Sequence, residues 1–225
     1  MSQTILILGG TKEAAELAEK LVLELPQARI ISSLAGRTKE PSPVVGEVRI
    51  GGFGGAEGLV RFLTQNNVTR LIDATHPFAK NISKNAKTAA VNTGIKLEIR
   101  TRQPWQKSQD DHWIEVATLE DARKTIPIGA RVLLALGSQH IDIFKTRSDV
   151  HFIVRMVDEP STQLSLPNHQ IIIGKPGDIE DETALLKQFS ITHIVCRNSG
   201  GQGAYAKIEA ARALKIPVII IGQSA

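Results

Sequence analysis

The chain has a single cysteine, Cys196, among 225 residues. That excludes an internal disulfide and a zinc site built on cysteine pairs. Aromatic residues make up only 4%, which argues against the stacking platforms of single-strand nucleic-acid binders. No apolar run approaches the roughly 18 residues that a membrane-spanning helix needs. Met1-Ser2-Gln3-Thr4 carries no basic side chain and the apolar run after it is short, so the expectation is no signal peptide and a cytoplasmic location. A large charge excess is missing too: 27 Lys plus Arg against 23 Asp plus Glu leaves +4. This balance demands no polyanionic polymer but suits a small acidic ligand. The six histidines show no H-x-H or H-x-x-x-H spacing, so no metal is expected. The G-x-x-x-x-G-K-[ST] phosphate loop and the G-x-S-x-G elbow are both absent.

What is present is globular: 42% apolar and 22% charged residues. The length serves one large unit or two small ones. Short apolar runs alternate with helical patterns. Strands are predicted at 5–8, 29–33, 48–50, 70–72 and 96–99, and again at 113–116, 132–135, 152–154, 171–173, 194–196 and 218–221. Ala14, Leu17, Ala18, Leu21, Val22 and Leu25 mark a first helix, stopped by Pro26. Further helices run through Leu59, Phe62 and Leu63, and through Ile82, Ala86, Ala89 and Ala90 to Gly94. Others are predicted at 119–124, 180–189 and 204–214. Residues 159–167 read as a surface loop. This rhythm predicts an α/β fold with parallel sheets flanked by helices. The polar stretch 101–112 breaks it, dividing the chain into lobes of 1–104 and 105–225.

In such sheets ligands bind beyond the carboxyl ends of the strands. Gly9-Gly10-Thr11 joins the first strand to the first helix, where backbone N–H groups favour phosphate. The full dinucleotide fingerprint is absent, and a plain turn capped by Thr11 is the competing reading. After the second strand comes Ser32-Ser33-Leu34-Ala35-Gly36-Arg37-Thr38, without the acid that holds a ribose 2′-hydroxyl in NAD enzymes. Arg37 and Thr38 suit a 2′-phosphate instead, which favours NADPH. Gly51, Gly52, Gly54 and Gly55 surround Phe53 in a second strand-to-helix loop, open to a close ligand or to a bend. Asp73, Thr75 and His76 close the fourth strand. There His76 is a candidate proton carrier, against the reading that Asp73 caps the next helix. A third loop, Asn198-Ser199-Gly200-Gly201-Gln202-Gly203, follows Arg197 and precedes Tyr205 and Lys207. Their separation of two residues disfavours a short-chain-dehydrogenase pair. Cys196 reads as a small buried residue.

Together, residues 5–14 (ILILGGTKEA), 33–38 (SLAGRT), 49–59 (RIGGFGGAEGL), 73–85 (DATHPFAKNISKN), 102–105 (RQPW) and 198–207 (NSGGQGAYAK) resemble the precorrin-6A reductase family of cobalamin biosynthesis, which includes the cobalt-precorrin-6A reductases. The resemblance spans nearly the whole chain. It implies two Rossmann-like lobes with the active site in the cleft between them. It also implies NADPH-dependent reduction of a double bond of the precorrin-6A macrocycle, with or without cobalt, to precorrin-6B. On this reading Gly9, Gly10, Thr11, Arg37, Thr38 and the loop Gly52, Phe53, Gly54, Gly55 serve the cofactor. Asp73, Thr75, His76, Arg197, Ser199, Gly200, Gly201, Tyr205 and Lys207 line the tetrapyrrole site, with His76, Asp73, Tyr205 and Lys207 as catalytic candidates. Trp105, Trp113 and Phe78 are further rings to test against the macrocycle. Relatives often carry Lys where Arg197 stands, and an arginine hardly gives up a proton. The alternatives are a non-catalytic NADP-binding sensor, which would bind without turnover, and a nucleotide-sugar transferase. The oligomeric state stays open.

Overall fold

The first strand of the chain, Thr4–Leu8, is buried along its whole length and so must be covered on both faces. A computed structural model describes residues 3–36 and 43–223. Contacts divide the chain into two units, residues 1–102 and 103–225.

The first unit is a five-stranded parallel sheet in the order β3-β2-β1-β4-β5. Its strands are β1 (Thr4–Leu8), β2 (Arg29–Leu34), β3 (Glu47–Ile50), β4 (Arg70–Asp73) and β5 (Lys96–Ile99). Successive side chains of β1 face opposite sides. Ile5 and Ile7 pack on α1 (Lys12–Glu24) through Ala14, Ala18 and Leu21. Leu6 and Leu8 face α2 (Ala56–Gln65) and α3 (Lys80–Thr93), meeting Leu59, Leu63, Ala86 and Ala89. Thr11 caps α1, its Oγ accepting from the Ala14 N–H at 3.1 Å. Gly94 closes α3 in the left-handed region, φ 70°. The connection from β1 leads to β2 and the one from β4 leads the other way to β5, so the switch point lies between the carboxyl ends of β1 and β4.

The second unit is a six-stranded parallel sheet in the order β6-β11-β10-β7-β8-β9. It comprises β6 (Trp113–Val116), β7 (Arg131–Ala135), β8 (His151–Met156), β9 (His169–Ile173), β10 (His193–Arg197) and β11 (Val218–Ile221). α4 (Leu119–Thr125) and α5 (Ile179–Gln188) each start with a capping box, Thr118 with Asp121 and Asp178 with Asp181. α6 (Ala206–Ala213) begins two residues later than the pattern predicts, because a turn closed by Tyr205 N–H to the Gln202 carbonyl (3.1 Å) takes up residues 202–205. Leu186, Ile208, Ala210 and Ala211 cover Leu133, Ile153, Ile194, Cys196 and Ile220. β7 and β10 are neighbours whose chain connections run in opposite directions, which sets this unit's switch point between them. The remaining strands and helices fall at the predicted places within a residue or two, and residues 157–168 form the predicted loop.

Candidate active site

In the first unit, three turns lie at the carboxyl ends of β3, β1 and β4. Gly9 N–H donates to the Ser33 carbonyl at 3.0 Å, tying the glycine turn to β2. Gly10 has φ 103° and open space where a side chain would stand. The Thr11 hydroxyl is already engaged: it accepts from Ala14 and donates to the Ala74 carbonyl at 3.2 Å. Thr11 therefore offers a ligand its backbone rather than its side chain.

Asp73 is 3% exposed. Its Oδ1 accepts from both the Thr75 N–H (3.1 Å) and the Thr75 hydroxyl (2.6 Å). It thus closes a local turn, whereas α3 begins only after Ala79 and has no side-chain cap. His76 Nδ1 accepts from the Phe78 N–H at 3.3 Å, so the neutral imidazole carries its proton on Nε2. The rings of His76 and Phe78 lie 5.8 Å apart.

Arg49 organises the loop of residues 51–55. Its guanidinium donates to the carbonyls of Gly51 and Gly52 and to the Ser33 hydroxyl at 3.3 Å. It lies 3.9 Å above the Phe53 ring, which meets Phe62 edge-on at 5.3 Å. Phe53 is therefore the floor under a cation. Gly51, Gly54 and Gly55 all take positive φ. Gly58 is fixed by close approach: a Cβ there would stand 1.6 Å from the Phe53 carbonyl oxygen. Arg37 and Thr38 lie outside the described residues.

A groove of about 570 Å³ runs along α1 beside Arg70, Arg100 and Arg102. Each of its arginines has a carboxylate partner, Arg102 with Glu13 and both Arg70 and Arg100 with the single Glu98, so these pairs set three guanidinium charges against two carboxylates. Among the described residues no three His, Cys, Asp or Glu side chains gather at a metal position, and no helix is long and apolar enough to cross a membrane.

In the second unit the loop after β10 is held from outside the sheet. Trp105 N–H donates to Asn198 Oδ1 (2.7 Å), Asn198 Nδ2 donates back to the Trp105 carbonyl (3.0 Å), and the indole N–H reaches the Gly201 carbonyl (2.7 Å). Gly200 and Gly201 are both left-handed, φ 64° and 72°. Ser199 is 8% exposed. Arg197 ends β10 and is half-buried.

Tyr205 packs on Trp105 with ring centroids 5.5 Å apart, and its hydroxyl accepts from Arg212 at 2.9 Å. Arg212 is itself held by Asp111 at 2.9 Å. The expectation that Lys207 lines the ligand surface needs correction: it is 4% exposed. Its ammonium donates to the Ala204 carbonyl and sits 4.9 Å from the Trp105 ring. Lying in the first turn of α6, it points under the loop, and burial pushes its pKa down. Although Tyr205 and Lys207 share no helix face, Trp105 brings them together. Burial likewise pushes the Cys196 thiol up, which keeps it protonated and inert.

The sequence reading overlooked Arg49, Asp111 with Arg212, and a buried pair of Arg155 and Glu182. For Arg49 a signal existed, a charged residue between Val48 and Ile50 directly before four glycines. No local pattern marks the other pairs, whose members lie far apart in the chain.

Residues 4–224 match the family model described as precorrin-6x reductase CbiJ/CobK. The chain is 42% identical over 218 residues to the precorrin-6A reductase of Rhodococcus erythropolis, covering 96% of this chain and 88% of that protein. It is 43% identical over 223 residues to that of Rhodobacter capsulatus, covering 98% and 88%. The cobalt-precorrin-6A reductase of Priestia megaterium is 33% identical over 234 residues, covering 97% and 90%. A solved structure of CobK precorrin-6A reductase superposes with a TM-score of 0.93 at 42% identity, covering 99% of this chain and 89% of that one.

Proposed function

Since the chain belongs to the precorrin-6x reductase CbiJ/CobK family, we propose that it reduces a double bond of the precorrin-6A macrocycle with NADPH, giving precorrin-6B in cobalamin biosynthesis. The metal-free ring is the substrate class, supported by 42–43% identity to reductases named for that ring against 33% for a cobalt-precorrin enzyme.

The observation that carries the cofactor reading is the turn of residues 9–11 at the β1/β4 switch point. Gly10 leaves space above it and no carboxylate follows β2 in residues 34–36. The residues present fit a phosphorylated dinucleotide: the N–H groups at the start of α1 suit the diphosphate. NADPH, when bound, supplies the hydride.

The chain's own part is to orient and to handle the proton. The Asp73–Thr75 turn fixes the path into α3. With Nδ1 accepting from the Phe78 N–H, neutral His76 offers its Nε2–H as a hydrogen-bond donor that polarises the conjugated ring system; full proton transfer from His76 takes the imidazolium, whose Nδ1–H gives up that Phe78 bond. Ser199, Gly200 and Gly201, held by Trp105, offer backbone N–H groups and a hydroxyl to the carboxylates of the macrocycle. Lys207 supports that loop from beneath and takes no part as a proton donor.

The test is anaerobic turnover, following NADPH absorbance as metal-free and cobalt-containing rings are added in parallel. One NADPH consumed per metal-free ring is the expected result. Tight NADPH binding with no consumption on either ring would make the protein a sensor. Binding of a nucleotide sugar in place of NADPH would make it a transferase.

A further inference from the structure

The first unit's described strands and strand ends carry five arginines, and four of them have a carboxylate partner, two sharing one glutamate. Arg29 pairs with Glu47, Arg70 and Arg100 with Glu98, and Arg102 with Glu13. Arg49 has no carboxylate partner among the described residues; oxygens of Ser33, Gly51 and Gly52 hold it. Neutral acceptors orient a guanidinium without cancelling its charge.

Those three bonds use three of the five N–H donors of a guanidinium. Among the described residues the Nε–H and one Nη2–H have no acceptor, and they lie on the side of the fork that suits a tetrahedral oxyanion. Phe53 and Phe62 fix the plane of the group. A Cβ added at Gly51, Gly52, Gly54 or Gly55 beside it would meet no atom of the described residues within 4 Å, so these residues leave room for a bulky anion. Half-buried Arg49 reaches the penultimate residue of β2, one strand from the glycine turn that ends β1.

We propose that Arg49 is the receptor for a phosphate monoester at the carboxyl end of β2: the phosphate by which NADPH differs from NADH. Arg49 is then a specificity-determining residue for the cofactor. The inference rests on the NADPH reading above and adds Arg49 to Arg37 as a carrier of that discrimination.

The probes are 2′,5′-ADP, which carries the monoester, and 5′-AMP, which lacks it, titrated calorimetrically into the full-length protein. Arg49→Met keeps an apolar chain on Phe53 and removes the charge. It is expected to weaken 2′,5′-ADP by about tenfold or more, the scale of a charged hydrogen bond, and to leave 5′-AMP within about twofold. Arg49→Lys, which keeps charge but not the fork, is expected to recover part of the loss. Equal weakening of both probes in the two variants makes Arg49 a scaffold of the loop and overturns the inference, as does an unchanged affinity for 2′,5′-ADP. If the unaltered protein binds neither 2′,5′-ADP nor NADPH, the cofactor reading itself falls, an outcome visible before any substitution is made.

Discussion

The two units share one winding rule yet hold their glycine loops in different ways. In the first, a half-exposed cation does it: Arg49 lies on Phe53 and bonds two loop carbonyls. In the second, the holding groups are buried or half-buried. An indole bonds the Gly201 carbonyl, Lys207 sits under the indole, and deeper still Arg155 of β8 is paired with Glu182 of α5. One unit therefore presents charge at its strand ends while the other encloses it. The difference teaches that a glycine loop can be anchored either by a group still able to meet a ligand or by groups spent on support. Candidates for charge recognition follow from the first arrangement, and candidates for preorganised backbone donors from the second.

The largest break in this comparison is expected at Glu182. It is 1% exposed and Arg155 is 9% exposed. Glu182 also accepts from the Gly177 N–H at 3.1 Å. Removing one partner of a buried pair strands the other, at a cost of about 3–5 kcal/mol. Glu182→Ala should therefore destabilise the second unit by that amount while the first is spared. Both tryptophans and the sole tyrosine lie in the second unit. Intrinsic fluorescence in a denaturant titration thus follows the second unit, and hydrogen exchange of the β1 and β4 amides follows the first. A fluorescence midpoint that hardly moves would mean the enclosed pair does not support this unit.

A smaller effect is expected at Trp105. Trp105→Phe keeps the ring over Lys207 and against Tyr205 but removes the donor to Gly201. Losing that bond costs about 1–3 kcal/mol if the carbonyl stays covered. Amide exchange at residues 199–203 should quicken, with exchange at residues 51–55 unchanged. In turnover, a rise in KM for the macrocycle with NADPH affinity kept is the signature of a loop that meets the substrate. Unchanged exchange in both loops would show that Asn198 alone suffices to hold the second one.

Most of the architecture was legible because strand and helix periods are local. Ile5 to Leu8 announce a strand covered on both faces, and Gly94 and Pro26 mark where helices stop. The glycine turns were legible as well, since positive φ at Gly10, Gly51 and Gly200 is a local demand. What could not be read was which side chains support and which face a ligand. Lys207 looked like a site residue because it follows a glycine loop, but the late start of α6 turns it inward. Arg49 looked like a strand residue because Ser33 becomes its neighbour only when β2 and β3 pair, and its spacing from Gly51 and Gly52 does not reveal that it turns back to bond their carbonyls. The pairs Asp111–Arg212 and Arg155–Glu182 join residues 101 and 27 positions apart, beyond any local pattern.

The smallest predicted effect separates the units by pH. At the amino ends of its strands the first unit carries the pair Arg29–Glu47, and the hydrogen bond from Arg29 holds the Glu47 carboxyl below its usual range. The second unit carries histidines there: His151 on β8 opposite Arg131, His169 on β9, and His193 on β10. Burial lowers the pKa of His151, with Arg131 and His169 adding to the shift, and burial also lowers that of His193. On acidification the unfolded chain takes up these protons first. Their contribution to stability is therefore complete above the unfolded value near 6.5 and is lost as pH falls through the lower folded values. Glu47 contributes fully down to the unfolded carboxylate value of 4.5 and is lost only below it. Between pH 7 and about 5, then, the fluorescence midpoint of the second unit should fall while exchange in β1 and β4 stays level. Replacing His151 and His193 together by Gln should flatten that slope. A slope that survives the double substitution would move the titrating group elsewhere, and an equal slope in both units would erase this difference between them.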